Sequence, residues 1–497
     1  MMKKIIALAM CAGMLFSSCS DFLDRYPKGR WHSENMPETD LDMSILAQAK
    51  LMEAYSGLRA WGFIWPALAM HNYTTPDSYK GSSPADGGAD LMAFETMSFN
   101  PSNGVITDYY SNAFSVISKV NEALNMINQI DDSDPKKQEL DCQAKFWRAC
   151  MYYRLTQAFG DVPYINRYML PTEKAPARSN VDEVRAKYIA ELEAIIPMLP
   201  TRKEIVASGN YMVPTQNAAR ALIAKTYMYQ KNWTMAKAYT QQIIESGDND
   251  LSTPFNEIFD EEQEFGPESV LEIYCELRPS EKIYMGSQYG QIIGFRGVPN
   301  LGWGFNVPAD ALRNAFEEGD PRYAATVIEP GDDLDGRPAQ PSDVDYQNRK
   351  GYAKKAEFER YGRSEGDQAQ WRNIRLIRYA DILLMHAECC CELGDAENIK
   401  EALDKLEMVR NRARGGNASV LPKVTTTDKT ELMEAIRHER RIELALEFEQ
   451  YFDLVRWGIA KDRIDNFVVG RHELFPIPQS EIDKSEGVLT QNPGYNG

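Results

Sequence analysis

Apolar residues recur at three- and four-residue steps over much of this chain. Between Tyr109 and Ile130, the side chains of Phe114, Ile117, Val120, Leu124 and Ile127 fall on one face, the pattern of an amphipathic helix. Asp131-Asp-Ser-Asp-Pro135 reads as a loop. A second periodic run from about Lys137 to Phe159 stops at Gly160-Asp161-Val162-Pro163, so the two predict an αα-hairpin. The pattern repeats. Hairpins are expected over about 109–160, 181–246, 374–414 and 429–459, with Ile374 to Leu393 read as one continuous helix. Ala387, Gly394 and Ala402 put small residues where paired helices approach closely, as in tetratricopeptide repeats. The expected fold class is mostly α: a tetratricopeptide-like helical hairpin scaffold with a large irregular, loop-rich insertion.

Two stretches break the period, about 61–103 and 247–372. Both are rich in Gly, Pro and aromatic residues, and the second contains β-like pieces such as Val270–Tyr274. Long loops in a compact protein are usually functional or disordered. The aromatic content of these two, including Trp61, Trp65, Tyr73, Tyr79, Tyr289, Phe295, Trp303 and Phe305, argues for order and for a ligand-binding face.

Composition narrows the class. With 497 residues, 43% hydrophobic, the chain can bury a large core, which excludes bulk disorder. A formal net charge of −18 with no basic run repels phosphate backbones, so no nucleic-acid partner is expected. The chain opens with Lys3-Lys4, an apolar run from Ile5 to Phe16, then Ser17-Ser18-Cys19. That order predicts a signal peptide over residues 1–18, and the run is too short to span a bilayer. The Ser-Ser-Cys ending resembles a bacterial lipobox, with Phe16 in place of the usual Leu. It makes Cys19 the expected lipidation site and residues 19–497 a single mature domain. The other cysteines lack metal-site spacing. Cys389-Cys390-Cys391 lies in an apolar helical pattern and reads as buried free thiols.

No Gly-x-Ser-x-Gly, His-Glu-x-x-His or P-loop occurs, so no catalytic residue, cofactor or metal is expected. Gly331-Asp-Asp-Leu-Asp-Gly336 resembles a calcium loop only in part, since its twelfth position is Ser342 instead of Glu. Arg437 to Glu447 spaces bases and acids as intrahelical ion pairs do, and His386 reads as a core histidine. Sugar rings pack their C–H faces on aromatic rings while their hydroxyls seek polar rims. On that chemistry the candidate ligand-binding residues are Tyr73, Asp77, Tyr79, Tyr289, Phe295, Arg296, Trp303 and Phe305.

Five segments in order resemble the SusD/RagB family of glycan-binding lipoproteins. They are Ser20-Asp21-Phe22-Leu23-Asp24; Phe146-Trp-Arg148-Ala through Gly160-Asp161-Val162-Pro163; Ile374-Arg375 through Tyr379-Ala380-Asp381 to Ala387-Glu388; Glu439-Arg440-Arg441 through Asp453-Leu454 to Arg456-Trp457-Gly458; and Phe475-Pro476-Ile477-Pro478 through Gln491-Asn492-Pro493-Gly494-Tyr495. One departure stands out: the family's Gly-x-Arg is here Phe448-Glu449-Gln450. The resemblance implies a lipid-anchored outer-membrane protein at the cell surface. It would bind oligo- or polysaccharide and close as a lid over a SusC-like TonB-dependent transporter. A helical glycoside hydrolase or lyase, and a repeat adaptor for peptide or protein, are the competing readings.

Overall fold

Helices start and stop where local chemistry directs. In a computed structural model, residues 42–495 are described apart from 84, 171, 279–280 and 365–369; the expected signal peptide and Cys19 lie outside the described residues. Asn103 caps helix Gly104–Ile127 by accepting from the amides of Val105 and Ile106. Pro135 opens helix Pro135–Phe159 behind the cap residue Asp134, and Gly160 ends it at φ +68°. Helix Tyr379–Leu393 ends on Gly394 at φ +78°, and Asp395 at once caps helix Ala396–Arg414.

The scaffold follows from packing these helices in pairs. Helix Met43–Arg59 lies against Gly104–Ile127, which packs on Pro135–Phe159. Gln216–Tyr229 pairs with Trp233–Ser246, and the latter packs on Tyr379–Leu393, itself paired with Ala396–Arg414 and Lys429–Glu443. One continuous apolar core runs through these interfaces and takes in Phe146, Tyr152, Leu383 and Tyr451, all at most 1% exposed. Cys142, Cys150, Cys275 and the Cys389–391 run are buried free thiols. The mostly helical, hairpin-built architecture expected from periodicity is the one observed.

Three local expectations change. Residues 374–378 form a strand, Ile374–Arg378, paired antiparallel with Ser269–Ile273, instead of the first turns of a helix. Both faces of that strand are largely buried, Arg375 and Arg378 included, so Ile374-Arg-Leu-Ile-Arg378 carries no clean two-residue alternation. Stretch 61–103 is more regular than expected. It holds helix Trp61–Leu68, a π-turn at Ala69–Tyr73, strand Ser78–Gly81 and helix Gly88–Glu95. The insertion is not a loose loop either: Phe295, Leu301, Ile328, Leu334, Phe358 and Trp371 build a second small core inside it. The partial calcium loop is spent internally, with Asp332 bound to Arg349 and Asp335 accepting from Tyr352 and the Lys355 amide.

The charged run Arg437–Glu447 is a structural charge network, but most of its partners lie outside its own helix. Arg437 does pair with Glu434 within its helix. The other charges reach across the fold. Glu443, fully buried, takes Arg412 at 2.5 Å, Arg378 at 3.0 Å and Arg322 at 3.2 Å, while Glu439 takes Arg322 and Arg410. Burial alone would push the Glu443 carboxyl up, but these guanidinium groups hold it well below the usual range. Arg440 bonds Asp381 and Asp453 in the same way. This is a tertiary lattice that ties insertion, strand pair and C-terminal helices together.

Candidate functional site: an aromatic ledge on the loop face

Helix Trp61–Leu68 presents two tryptophans one turn apart, so their rings share a face. Trp61 and Trp65 stack with centroids 4.5 Å apart and planes 20° from parallel. Trp303, from the distant insertion, meets Trp61 edge-on at 6.1 Å, and Phe305 meets Trp65 edge-on at 4.7 Å. The cluster is graded in depth. Phe305 and Trp65 are buried, Trp303 is half-buried, and Trp61 stands 39% exposed. A tryptophan left this open, backed by three further rings, is a rigid apolar ledge facing water.

The two contributing segments meet through a strand pair, Ser78–Gly81 against Phe305–Pro308. Gly81 and Gly304 make the approach possible. A Cβ on Gly81 would sit 2.5 Å from the Gly304 carbonyl oxygen, and both residues adopt left-handed φ, +73° and +71°. The Ser82 amide then donates to the Gly304 carbonyl at 2.8 Å.

A polar rim adjoins the ledge. A Cβ on Gly304 would lie 2.7 Å from the Cβ of Arg296, so the Arg296 stem runs directly over the residue after Trp303. Its guanidinium pairs with Asp86 at 2.9 Å and Asp343 at 2.9 Å and donates to the Ser82 hydroxyl at 2.7 Å. All three charged side chains are about one-third exposed, at 32%, 39% and 32%. Hydrogen bonds from Ser82 and Ser83, with help from Arg296, hold the Asp86 carboxyl at about 2, below its ordinary value. Lys80 lies over the Phe305 ring, 5.8 Å from its centroid, and donates to the carbonyls of Gly81 and Ser83. The arrangement offers flat apolar surface beside fixed donors and acceptors.

The expected ligand residues separate into groups. Arg296, Trp303 and Phe305 converge here, Phe305 as a support behind Trp65. Tyr79 is half-buried on the same strand, opposite Val307, and joins none of the ring pairs of the ledge. Tyr73 and Phe295 are at most 1% exposed and belong to the main and second cores; a ring so enclosed offers no face to a sugar. Tyr289 is half-buried against Phe448. Asp77 is buried and accepts from Arg441 and Gln450, so it anchors the C-terminal helices. Trp61 and Trp65 were absent from the expected ligand set, although their i, i+4 spacing was visible in the sequence.

A roomier cavity of about 560 Å³ lies elsewhere, between Lys429–Glu443 and Gln450–Arg456. Several of its charges are paired: Arg441 with Asp77, Arg440 with Asp453, Arg437 with Glu434. The one tryptophan in its lining, Trp457, lies under the guanidinium groups of Arg437 and Arg456, whereas the ledge turns an open ring to water, so the ledge is the better candidate for recognition.

The Phe448-Glu449-Gln450 departure falls beside this cavity. Phe448 is at φ +74° and Leu446 at φ +67°, left-handed values rare for bulky residues. The Phe448 amide donates to Asn72 Oδ1 at 3.1 Å, and His71 Nδ1 donates to the Phe448 carbonyl at 3.0 Å. The π-turn thus fixes the break between the last long helices.

A hairpin scaffold carrying an aromatic, polar-rimmed loop face defines a helical-repeat binding protein. Family comparison makes the class specific. The model described as "SusD family" matches residues 302–472, and one described as "Starch-binding associating with outer membrane" matches residues 21–228. The chain belongs to the SusD family. It is 26% identical to SusD-like protein P2 of Formosa agariphila over 99% of this chain and 100% of that one. Among solved structures, a laminarin-binding SusD-like protein is 25% identical with a TM-score of 0.73, covering 91% of this chain and 99% of its own. Surface glycan-binding protein A from Bacteroides thetaiotaomicron, solved with laminarihexaose, shares the fold at a TM-score of 0.74 and 22% identity, covering 90% and 99%. Among the described residues no helix is long and apolar enough to cross a membrane.

Proposed function

We propose that this protein is a surface lipoprotein of the outer membrane that binds an oligo- or polysaccharide and delivers it to a SusC-like TonB-dependent transporter. The Trp61–Trp65–Trp303 ledge carries the reading. Sugar C–H faces stack on the two outer rings, and Arg296, Asp86 and Asp343 receive the hydroxyls at the rim. Binding needs no covalent step. Asp86 and Asp343 share Arg296, and Asp86 is held ionised, whereas a glycosidase needs one carboxyl kept protonated as general acid. A polymer would engage several copies at once, so modest single-site affinity suffices at a cell surface. The lipid on Cys19 would hold the ledge above the membrane, and the helical scaffold would rest on the transporter.

The test is retention by a panel of immobilised polysaccharides that includes laminarin and starch, with release of reducing ends assayed in parallel. Retention by one glycan class without cleavage is the expected result. Cleavage would make the protein an enzyme, and a panel without any retention would shift the reading to a peptide ligand.

A further inference from the structure

We infer that His386, Cys390 and Glu401 form a zinc site in the helical scaffold, remote in role from the ledge. His386 and Cys390 are four residues apart on helix Tyr379–Leu393 and so share one face, while Glu401 comes from the partner helix Ala396–Arg414 across the Gly394-Asp395 turn. One nitrogen, one sulfur and one carboxylate oxygen lie within 4.8 Å of one another. That is a mixed donor set of the kind zinc takes.

Hydrogen bonding around the cluster points the same way. The Thr240 hydroxyl donates to its own helix, to the carbonyls of Ala236 at 3.1 Å and Lys237 at 2.9 Å. Its oxygen lies 2.9 Å from His386 Nδ1 and orients the ring. His386 Nε2 then faces Glu401 Oε1 at 2.9 Å. A proton bridges that pair in the metal-free protein; a divalent cation in its place would gather the nitrogen, the carboxylate oxygen and the Cys390 sulfur into one coordination sphere.

An outer shell is already in place. Thr240 orients the imidazole, and Lys237 binds the other oxygen of Glu401 at 2.7 Å and Asn398 Oδ1 at 2.6 Å, leaving Oε1 turned inward. Glu401 and Lys237 are each about one-quarter exposed, so they form the entrance, and water completes the coordination there. Binding would convert the Cys390 thiol to thiolate and release its proton to solvent, so affinity rises with pH. The sequence reading kept His386 as a core histidine and Cys390 as an inert thiol because the third donor lies on another helix. The site would clamp the hairpin turn and stiffen the scaffold.

The experiment is titration of untagged protein with Zn²⁺ against a chromophoric chelator, with Co²⁺ as a spectroscopic probe. One equivalent per chain is expected, together with a near-ultraviolet thiolate-to-cobalt band. Cys390→Ser should remove the band and weaken zinc at least about tenfold, as should His386→Gln. Absence of the thiolate band in the unmodified protein, or its survival in Cys390→Ser, would overturn the proposal. The unmodified protein's own spectrum decides even if a variant fails to fold.

Discussion

The two polar regions of this molecule use charge in opposite ways. Around Glu443, charged side chains are enclosed, several with no exposure at all, and each guanidinium is matched to carboxylates of other elements. Around Trp61, the charges are one-third exposed and sit beside rings that find no further core partner. In the first region the carboxylates and guanidinium groups are bound to one another across the fold. In the second, apolar faces and hydroxyl-scale donors remain turned to water. Recognition is therefore assigned to the ledge, although the lattice holds more charge and the roomier cavity lies by the C-terminal helices.

The contrast breaks most visibly on the lattice side. Glu443→Ala leaves Arg322, Arg378 and Arg412 buried without their shared carboxylate and should cost about 3–5 kcal/mol of stability, read by denaturant unfolding. Glycan affinity of the folded fraction should be unchanged. A loss below about 1 kcal/mol would mean that water reaches the lattice and the burial argument fails.

Acid should act through the π-turn next. Burial, with Arg154 nearby, pushes His71 down to about 3, while its hydrogen bond to Phe448 opposes the shift. Its folded value lies below the unfolded value near 6.5, so the folded state binds fewer protons. Its contribution is complete above about pH 6.5 and is lost as pH falls toward 3, by at most about 1.4 kcal/mol per pH unit. Stability measured against pH should fall less steeply over that window in His71→Gln than in the unmodified protein. Parallel curves would remove His71 from the account.

The ledge predictions are smaller in energy and sharper in meaning. Trp303→Ala should weaken glycan binding by about 1 kcal/mol or more. Tyr79→Ala, whose ring joins none of the ledge pairs, should leave affinity within about 0.5 kcal/mol; isothermal titration compares the two. Equal losses would mean that the ligand extends along the strand and that the ledge is only part of the site.

Much of the scaffold was legible because its information is local. Apolar spacing, the Gly160 stop and the Gly394-Asp395 turn each act within a few residues, whereas Pro135, read as loop, is the first residue of its helix. The strand Ile374–Arg378 was not legible, because so short a mixed segment becomes a strand only when Ser269–Ile273 lies beside it. The second core was hidden for the same reason: its members are scattered from Leu277 to Trp371 and meet only in space. Of the candidate site, the aromatic type and the Phe295–Phe305 neighbourhood were readable, while depth was not. Phe295 and Trp303 look alike along the chain, yet one fills the second core and the other lines the ledge. Trp61 and Trp65 carried a readable helical spacing inside a stretch taken as irregular. The Arg437–Glu447 pattern misled in its partners, since three- and four-residue spacing is also what puts charges on one face toward other elements.

The most direct test of the central claim is isothermal titration of the retained oligosaccharide into the unmodified protein and into Trp61→Ala, with melting temperature recorded for both. Because Trp61 is the most exposed ring of the ledge, the expected result is an affinity loss of about tenfold with an unchanged melting temperature. Unchanged affinity in a folded Trp61→Ala protein would contradict the ledge as the glycan site.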